Sequence, residues 1–120
     1  MPGVKKIYHK GKEILFIDYS GSPNESVMIE ILKEAQKIII SDNKEYLQLV
    51  NIANAYVTPL YMKTVKEIAK DTPRLALKRA MVGISGKSRK ILLMDYNLII
   101  GKNGIKPFDT IEEAKDWLIE

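Results

Sequence analysis

Apolar and polar residues follow one another along the chain in a pattern that predicts strands and helices in turn. Near the N-terminus, two apolar runs flank the polar, glycine-containing residues 10–12, which predicts a β-hairpin. The first strand, over residues 4–9, is half polar, as at a sheet edge. The second, over 14–17, is wholly apolar and fits a strand covered on both faces. Asp18 follows it and is expected to accept hydrogen bonds from the next turn.

Apolar residues at helical spacing predict three helices whose starts are marked by hydroxyl residues. Ser22 precedes Pro23, and Glu25 lies three residues after Ser22, a capping box that predicts the start of the first helix. Thr58 and Thr110 mark the starts of the second and last helices in the same way. The residues expected to face the core are Met28, Ile31, Leu32, Ala35, Ile38 and Ile39 in the first helix, Tyr61, Val65, Ile68 and Ala69 in the second, and Ile111, Ala114, Trp117 and Leu118 in the last.

The remaining segments complete an α/β pattern. Short apolar runs predict strands over 46–50, 80–84 and 105–108, and residues 90–100 predict a further helix. Pro107 fits a sheet edge or the end of a strand. The element order β-β-α-β-α-β-α-β-α predicts an α/β fold with a mixed, mainly parallel sheet carrying helices. All 120 residues are expected to form a single domain, 1–120.

Composition narrows the chemistry. The chain has no cysteine and one histidine, which excludes disulfides, thiolate zinc sites and cysteine nucleophiles within it. His9 itself is expected to be a surface strand residue and not a catalyst, because nothing in the sequence supplies a partner. We therefore expect no catalytic activity, no metal site and no cofactor. No stretch approaches the roughly 20 apolar residues of a membrane helix, and residues 1–6 lack the apolar core of a secretory signal, so a cytoplasmic location is expected.

The net charge of +4 is unevenly distributed. Residues 1–62 are neutral, residues 63–106 hold eleven basic and three acidic side chains, and residues 107–120 hold one basic and five acidic side chains. Lys63, Lys66 and Lys70 share one face of the second predicted helix, which raises the question of nucleic-acid binding. Few aromatic residues lie between the cations, and no nucleic-acid motif is present. A solvated helix face is therefore the favoured interpretation.

Two segments carry a resemblance to a known family. One is Ala-Met-Val-Gly-Ile-Ser-Gly at 80–86, followed by Arg-Lys-Ile-Leu at 89–92. The other is Lys-Pro-Phe-Asp-Thr at 106–110, followed by Glu112, Glu113, Ala114, Trp117 and Leu118. At this spacing they resemble the small standalone STAS-like proteins of bacteria and archaea, relatives of the anti-anti-sigma-factor fold. The resemblance runs from about Tyr46 to the C-terminus, and the first third agrees in element order and in residues 17–21.

The resemblance implies a non-catalytic regulatory or protein-binding domain. In well-studied STAS domains, a serine at the start of the helix after the third strand is phosphorylated, and it usually follows an aspartate. Residues 51–58 contain no Asp-Ser pair, and the closest acceptor is Thr58. A phosphate would be well placed at this helix start, although a simple capping role is the favoured interpretation of Thr58.

The same strand-to-helix connection is the first choice for a contact surface. Asn51, Asn54, Tyr56 and Tyr61 cluster around it, and open α/β sheets bind ligands beyond the carboxyl ends of their parallel strands. The alternative is a loop rich in asparagine, with two tyrosines that pack into the core. A homodimer is a further expectation, because the opening hairpin presents an exposed strand edge.

Two other candidates come from the segment after the fourth strand. Gly86-Lys87-Ser88 resembles the end of a phosphate-binding loop, but the first glycine should lie at position 81, which is Met81, so a nucleotide loop is rejected. A simpler anion-binding turn over Ser85, Gly86, Lys87 and Ser88 stays open beside a solvated basic loop. The alternative function is a small-molecule or lipid-binding module, since STAS-like folds resemble the lipid-carrying CRAL-TRIO fold. Its apolar pocket would be lined by Met94, Leu98 and Ile100.

Overall fold

The computed structural model describes residues 3–43, 46–55, 58–71, 76–83 and 105–120. The predicted helix over 90–100 lies outside these residues. Within them the chain forms five strands and three helices. In chain order these are β1 (Gly3–His9), β2 (Lys12–Asp18), α1 (Glu25–Asp42), β3 (Tyr46–Asn51), α2 (Pro59–Asp71), β4 (Ala76–Val82), β5 (Ile105–Phe108) and α3 (Ile111–Leu118).

The described strands form one mixed sheet in the order β1-β2-β3-β4-β5. β1 pairs antiparallel with β2, and the other neighbouring strands pair in parallel. The two-residue turn between β1 and β2 has positive φ angles of 50° at Lys10 and 84° at Gly11, the geometry that twisted hairpins favour. The α/β class and the mixed, mainly parallel sheet are thus confirmed. β1 lies at one edge, and the proline-containing β5 lies at the other.

Helices cover both faces of this sheet. Alternate residues of β2 show the division: Leu15 and Ile17 belong to a core shared with α1 and α2, whereas Ile14 and Phe16 pack with α3. The apolar run in β2 is therefore explained, because it must satisfy two cores at once. The expected core stripe of α1 is buried at Met28, Ile31, Leu32, Ala35 and Ile39, and that of α3 is buried at Ala114 and Leu118.

The start of α1 differs from the prediction. Asn24, not Ser22, is the capping residue, and its side chain accepts a hydrogen bond from the Val27 N–H at 3.0 Å. The Ser22 hydroxyl instead donates to the Tyr19 carbonyl at 2.6 Å and closes the turn after β2. The capping-box prediction was wrong because Ser22 is already used by the preceding turn, which leaves the next asparagine to begin the helix.

The fourth strand also differs from the prediction, because it begins at Ala76 instead of Ala80. Its early residues include Lys78 and Arg79, whose polarity hides the strand in an apolar pattern. Their long side chains reach partners in the fold: Arg79 is buried, and the Lys78 ammonium lies 4.7 Å from the centre of the Trp117 ring. The strand ends at Val82, and Gly83 follows with a φ of 88°. Of the helices described, none is both long enough and apolar enough to cross a membrane.

Candidate functional site

The carboxyl ends of β2 and β3 lie side by side and end in the same way. Asp18 and Asn51 are neighbours in the sheet register. Asp18 Oδ1 accepts a hydrogen bond from the Ser20 N–H at 2.9 Å, and Asn51 Oδ1 accepts one from the Ala53 N–H at 3.0 Å. Each side chain therefore turns the chain away from the sheet, an Asx turn in both cases. This confirms the structural role expected for Asp18.

Backbone hydrogen bonds hold the two loops together beyond the strand ends. The Gly21 N–H donates to the Ala53 carbonyl at 3.0 Å, and the Ile52 N–H donates to the Val82 carbonyl at 3.0 Å. Gly83 approaches the same loop so closely that a Cβ there would lie 2.4 Å from the Ala53 nitrogen. Residues 52 and 53, at the start of the β3–α2 loop, are thus held by both neighbouring segments.

Thr58 caps α2 and joins it to α1. Its hydroxyl oxygen accepts a hydrogen bond from the Tyr61 N–H at 3.1 Å, which satisfies a backbone donor of the first helical turn. The same hydroxyl donates to the carboxylate of Glu25, which lies in the first turn of α1. The predicted capping role is therefore confirmed. In addition, this hydroxyl links the starts of two helices, although Thr58 and Glu25 are 33 positions apart in sequence.

Tyr61 lies in the core, which confirms its predicted place in the apolar stripe of the second helix and corrects its second assignment, to the contact surface. It is 4% exposed, and its ring meets the Tyr19 ring edge to face with the centroids 5.3 Å apart. The same position on α2 begins the apolar stripe that continues to Val65, so burial follows from helical spacing. The alternative interpretation of a packing tyrosine was the right one here.

The exposed apolar residue at this site is Leu60, which sequence reasoning missed. It is 50% exposed and lies between the exposed Pro59 and the buried Tyr61. Its signal was present in the sequence, because a leucine beside the Tyr61–Val65 stripe must point away from the core. Asn54 is also exposed and has a φ of 56°, a left-handed conformation that asparagine tolerates. We refer to the three consecutive residues Thr58, Pro59 and Leu60 as the Leu60 surface.

The other predicted site residues fall into three groups. The amide oxygen of Asn51 is used by the Asx turn described above. Lys63 is exposed on α2. The third group lies outside the described residues, or has side chains that do: Tyr56, Lys66, Lys70, Ser85, Gly86, Lys87, Ser88, Met94, Leu98 and Ile100.

A second polar cluster joins the hairpin to the last helix. His9 Nε2 lies 2.7 Å from Asp116 Oδ1, and the Lys10 ammonium lies 3.4 Å from the same oxygen. His9 is thus a partly exposed strand residue whose partner comes from α3, a contact that the sequence did not indicate. The hydrogen bond with His9 holds the pKa of Asp116 below its usual value, and the charge of Lys10 acts in the same direction. The Lys12 ammonium also donates to the Ile119 carbonyl at 3.2 Å, at the end of α3.

Comparisons with known proteins give this chain no match: no family model, no curated protein and no solved structure matches it. Among the described residues, no three histidine, aspartate or glutamate side chains are grouped so that they could hold a metal ion. The function must therefore be argued from the arrangement of the chain's own residues.

Proposed function

We propose that the chain is a STAS-like, non-catalytic regulatory domain that binds a protein partner through the Leu60 surface. The observation that carries the proposal is the half-exposed Leu60 side chain at the start of α2, next to the connection from β3. An exposed leucine beside backbone held by hydrogen bonds offers an apolar side chain that a protein partner can bury at the centre of an interface.

The position in the sheet supports a contact role. The β3–α2 loop lies beyond the carboxyl end of a parallel strand, where α/β folds most often place their binding loops. A hydrogen bond from Gly21 and one to Val82 hold residues 52 and 53 of this loop before any partner arrives. A preformed surface loses little conformational entropy on binding, so a small apolar anchor is sufficient for a regulatory contact.

Thr58 provides a means of regulating this surface. Its hydroxyl donates to the Glu25 carboxylate and caps α2, so a phosphate on the same oxygen would replace that donor with about two negative charges. Repulsion from Glu25 would then separate the two helix starts, while the helix N-terminus would still favour the phosphate. In this proposal Thr58 is the phosphoacceptor, and its modification alters the position of Leu60.

Two variants with matched exposure test the contact surface. Leu60 and Ile40 are both large apolar residues, exposed by 50% and 52% respectively. We expect the tagged protein to capture a specific partner from the native organism. Ile40→Asp should capture the same amount of this partner, and Leu60→Asp should capture at least tenfold less. Equal capture by the two variants would contradict the proposal. If the partner is a second copy of the 13.7 kDa chain, light scattering gives twice this mass, and Leu60→Asp restores the monomer.

Regulation is tested by the intact mass of the protein purified from its native cells. A fraction carrying one phosphate, located at Thr58 by fragmentation, is the expected result under at least one growth condition. Thr58→Ala removes that fraction, whereas Thr64→Ala, a change at a hydroxyl further along α2, leaves it in place. An unmodified Thr58 under every growth condition would refute the phosphoacceptor role. The proposal that the Leu60 surface binds a partner would not be affected by that result.

A further inference from the structure

The outer edge of β1 offers a row of backbone groups to a binding partner. The tight turn at Lys10 and Gly11 closes on the pair His9–Lys12, so the odd-numbered residues of β1 exchange hydrogen bonds with β2. The even-numbered residues Val4, Lys6 and Tyr8 then direct their N–H and C=O groups away from β2. Within the described part of the chain, no strand pairs with this edge. Such a row of backbone groups is a template for strand addition.

The charge of this edge indicates what it would accept. β1 contains two lysines, Lys5 and Lys6, and no acidic residue. Lys6, on the α1 side of the sheet, forms an ion pair with Asp42 at 2.8 Å. Lys5 points to the α3 side, where its ammonium lies 5.5 Å from the centre of the Phe16 ring. Lys5 has no carboxylate partner among the described residues, so it is available to an acidic side chain on an added strand.

The same charges argue against pairing between two copies of β1. The antiparallel register that uses Val4, Lys6 and Tyr8 of both copies places Lys6 directly opposite its counterpart. Like charges directly opposite each other destabilise a strand pair, so this register is disfavoured. An acidic strand removes this repulsion and adds an attraction.

We propose that β1 binds an extended acidic segment of a partner protein as an additional antiparallel strand. In that arrangement the residue opposite Lys5 occupies a non-hydrogen-bonded pair, where opposing side chains come closest, and a glutamate there can reach the ammonium. The Tyr8 ring is 69% exposed on the opposite side of the strand and provides an apolar surface for cross-strand packing. This surface is separate from the Leu60 surface and does not depend on the function proposed there.

The first test uses two synthetic peptides that differ only in charge. A fluorescein-labelled seven-residue peptide of alternating Val and Glu places all its carboxylates on one face of a strand, and its counterpart has Lys in place of Glu. We expect fluorescence anisotropy at low ionic strength to show at least tenfold tighter binding of the Glu peptide. Equal binding of the two peptides, or binding of neither, would overturn the proposal.

Variants separate the backbone contribution from the charge contribution. Lys6→Pro and Lys6→Ala both remove the ammonium, but only proline removes the outward N–H, and an edge position tolerates it. We expect Lys6→Pro to bind the Glu peptide at least tenfold more weakly than Lys6→Ala, with both variants folded by circular dichroism. If Lys6→Pro does not fold, Lys5→Glu is decisive, because it is expected to reverse the preference between the two peptides. Equal binding by the two Lys6 variants, or an unchanged preference in Lys5→Glu, would overturn the proposal.

Amide exchange locates the bound peptide. Binding of the Glu peptide is expected to slow exchange at the Val4, Lys6 and Tyr8 amides by at least tenfold. The Leu60→Asp variant is expected to bind this peptide with the same affinity as the unchanged protein. Slowed exchange at other residues only would overturn the proposal. The proposal would also be overturned if sedimentation without peptide showed a dimer that Lys6→Pro converts to a monomer. The β1 edge would then pair with a second copy of the chain.

Discussion

The Thr58 hydroxyl donates a hydrogen bond to the Glu25 carboxylate, so the first turns of α1 and α2 are joined through one side chain. The same oxygen accepts the Tyr61 N–H at 3.1 Å. A residue expected from its position to cap one helix thus also fixes the distance between two. Any change at this oxygen affects both the stability of α2 and the position of the Leu60 surface.

Replacing Thr58 separates these effects. Thr58→Ala removes the cap of α2 and leaves the Glu25 carboxylate without this donor, so we expect the free energy of unfolding to fall by about 1–2 kcal/mol. Thr58→Ser keeps the hydroxyl and is expected to lose less than half as much. Urea denaturation of the three proteins measures both values. An alanine variant with the unfolding midpoint of the unchanged protein would show that the hydroxyl is not used in this way.

The close approach of Gly83 to the β3–α2 loop predicts a large difference between two glycine substitutions. Gly83 and Gly11 have similar φ angles of 88° and 84°, but a Cβ at Gly83 would lie 2.4 Å from the Ala53 nitrogen, whereas one at Gly11 meets open space. We expect Gly11→Ala to cost about 1 kcal/mol from its backbone conformation alone. Gly83→Ala should cost at least about 3 kcal/mol, since it must also displace the loop. Thermal and urea unfolding check this, and equal losses would contradict the loop geometry.

The contact between His9 and Asp116 predicts a dependence of stability on acid pH. The hydrogen bond with His9 lowers the pKa of Asp116 from its usual 3.8 in the folded protein. This contact therefore stabilises the folded protein when the pH is above the usual pKa of an aspartate. The stabilisation is lost as the pH falls through the lowered pKa of Asp116 in the folded protein. The free energy of unfolding should fall more steeply below about pH 4 in the unchanged protein than in Asp116→Asn. Parallel pH profiles for the two proteins would show that the contact is absent in solution.

The position of β1 at the sheet edge predicts an alternating pattern of amide exchange. Lys5 and Ile7 are expected to exchange slowly because their N–H groups bond to β2, whereas Val4, Lys6 and Tyr8 should exchange rapidly. Hydrogen exchange followed by two-dimensional NMR resolves these five amides without any ligand. Uniform protection along β1 would mean that another strand already covers the edge.

Much of the fold could be predicted from the sequence because its strands and helices have strong local patterns. The stripe from Met28 to Ile39 faces one core at helical spacing, and the uninterrupted apolar run in β2 faces a core on each side of the sheet. The start of β4 could not be predicted in this way, since Lys78 and Arg79 are polar, and the partner of Lys78 lies far away in sequence. Lys78, for example, donates to the Trp117 carbonyl at 3.0 Å.

The site was predicted less completely, for a related reason. The position of the β3–α2 loop and the cap at Thr58 follow from local sequence. The hydrogen bond to Glu25 and the contact of His9 with Asp116 join residues 33 and 107 positions apart, and no local pattern contains them. Tyr61 belonged both to the predicted core stripe of the second helix and to the candidate contact surface, and its burial in the folded protein decides between the two. Leu60, which precedes that stripe by one residue, was absent from the predicted surface.

The central claim is that the Leu60 surface binds a protein partner in the cell. It is tested most directly by placing a photo-cross-linking residue at position 60 or, as the control, at position 40, since Leu60 and Ile40 are almost equally exposed. After irradiation of living native cells, we predict a discrete cross-linked protein from position 60 that is absent from position 40. Adducts of the same kind from both positions, or no adduct from position 60, would contradict the claim.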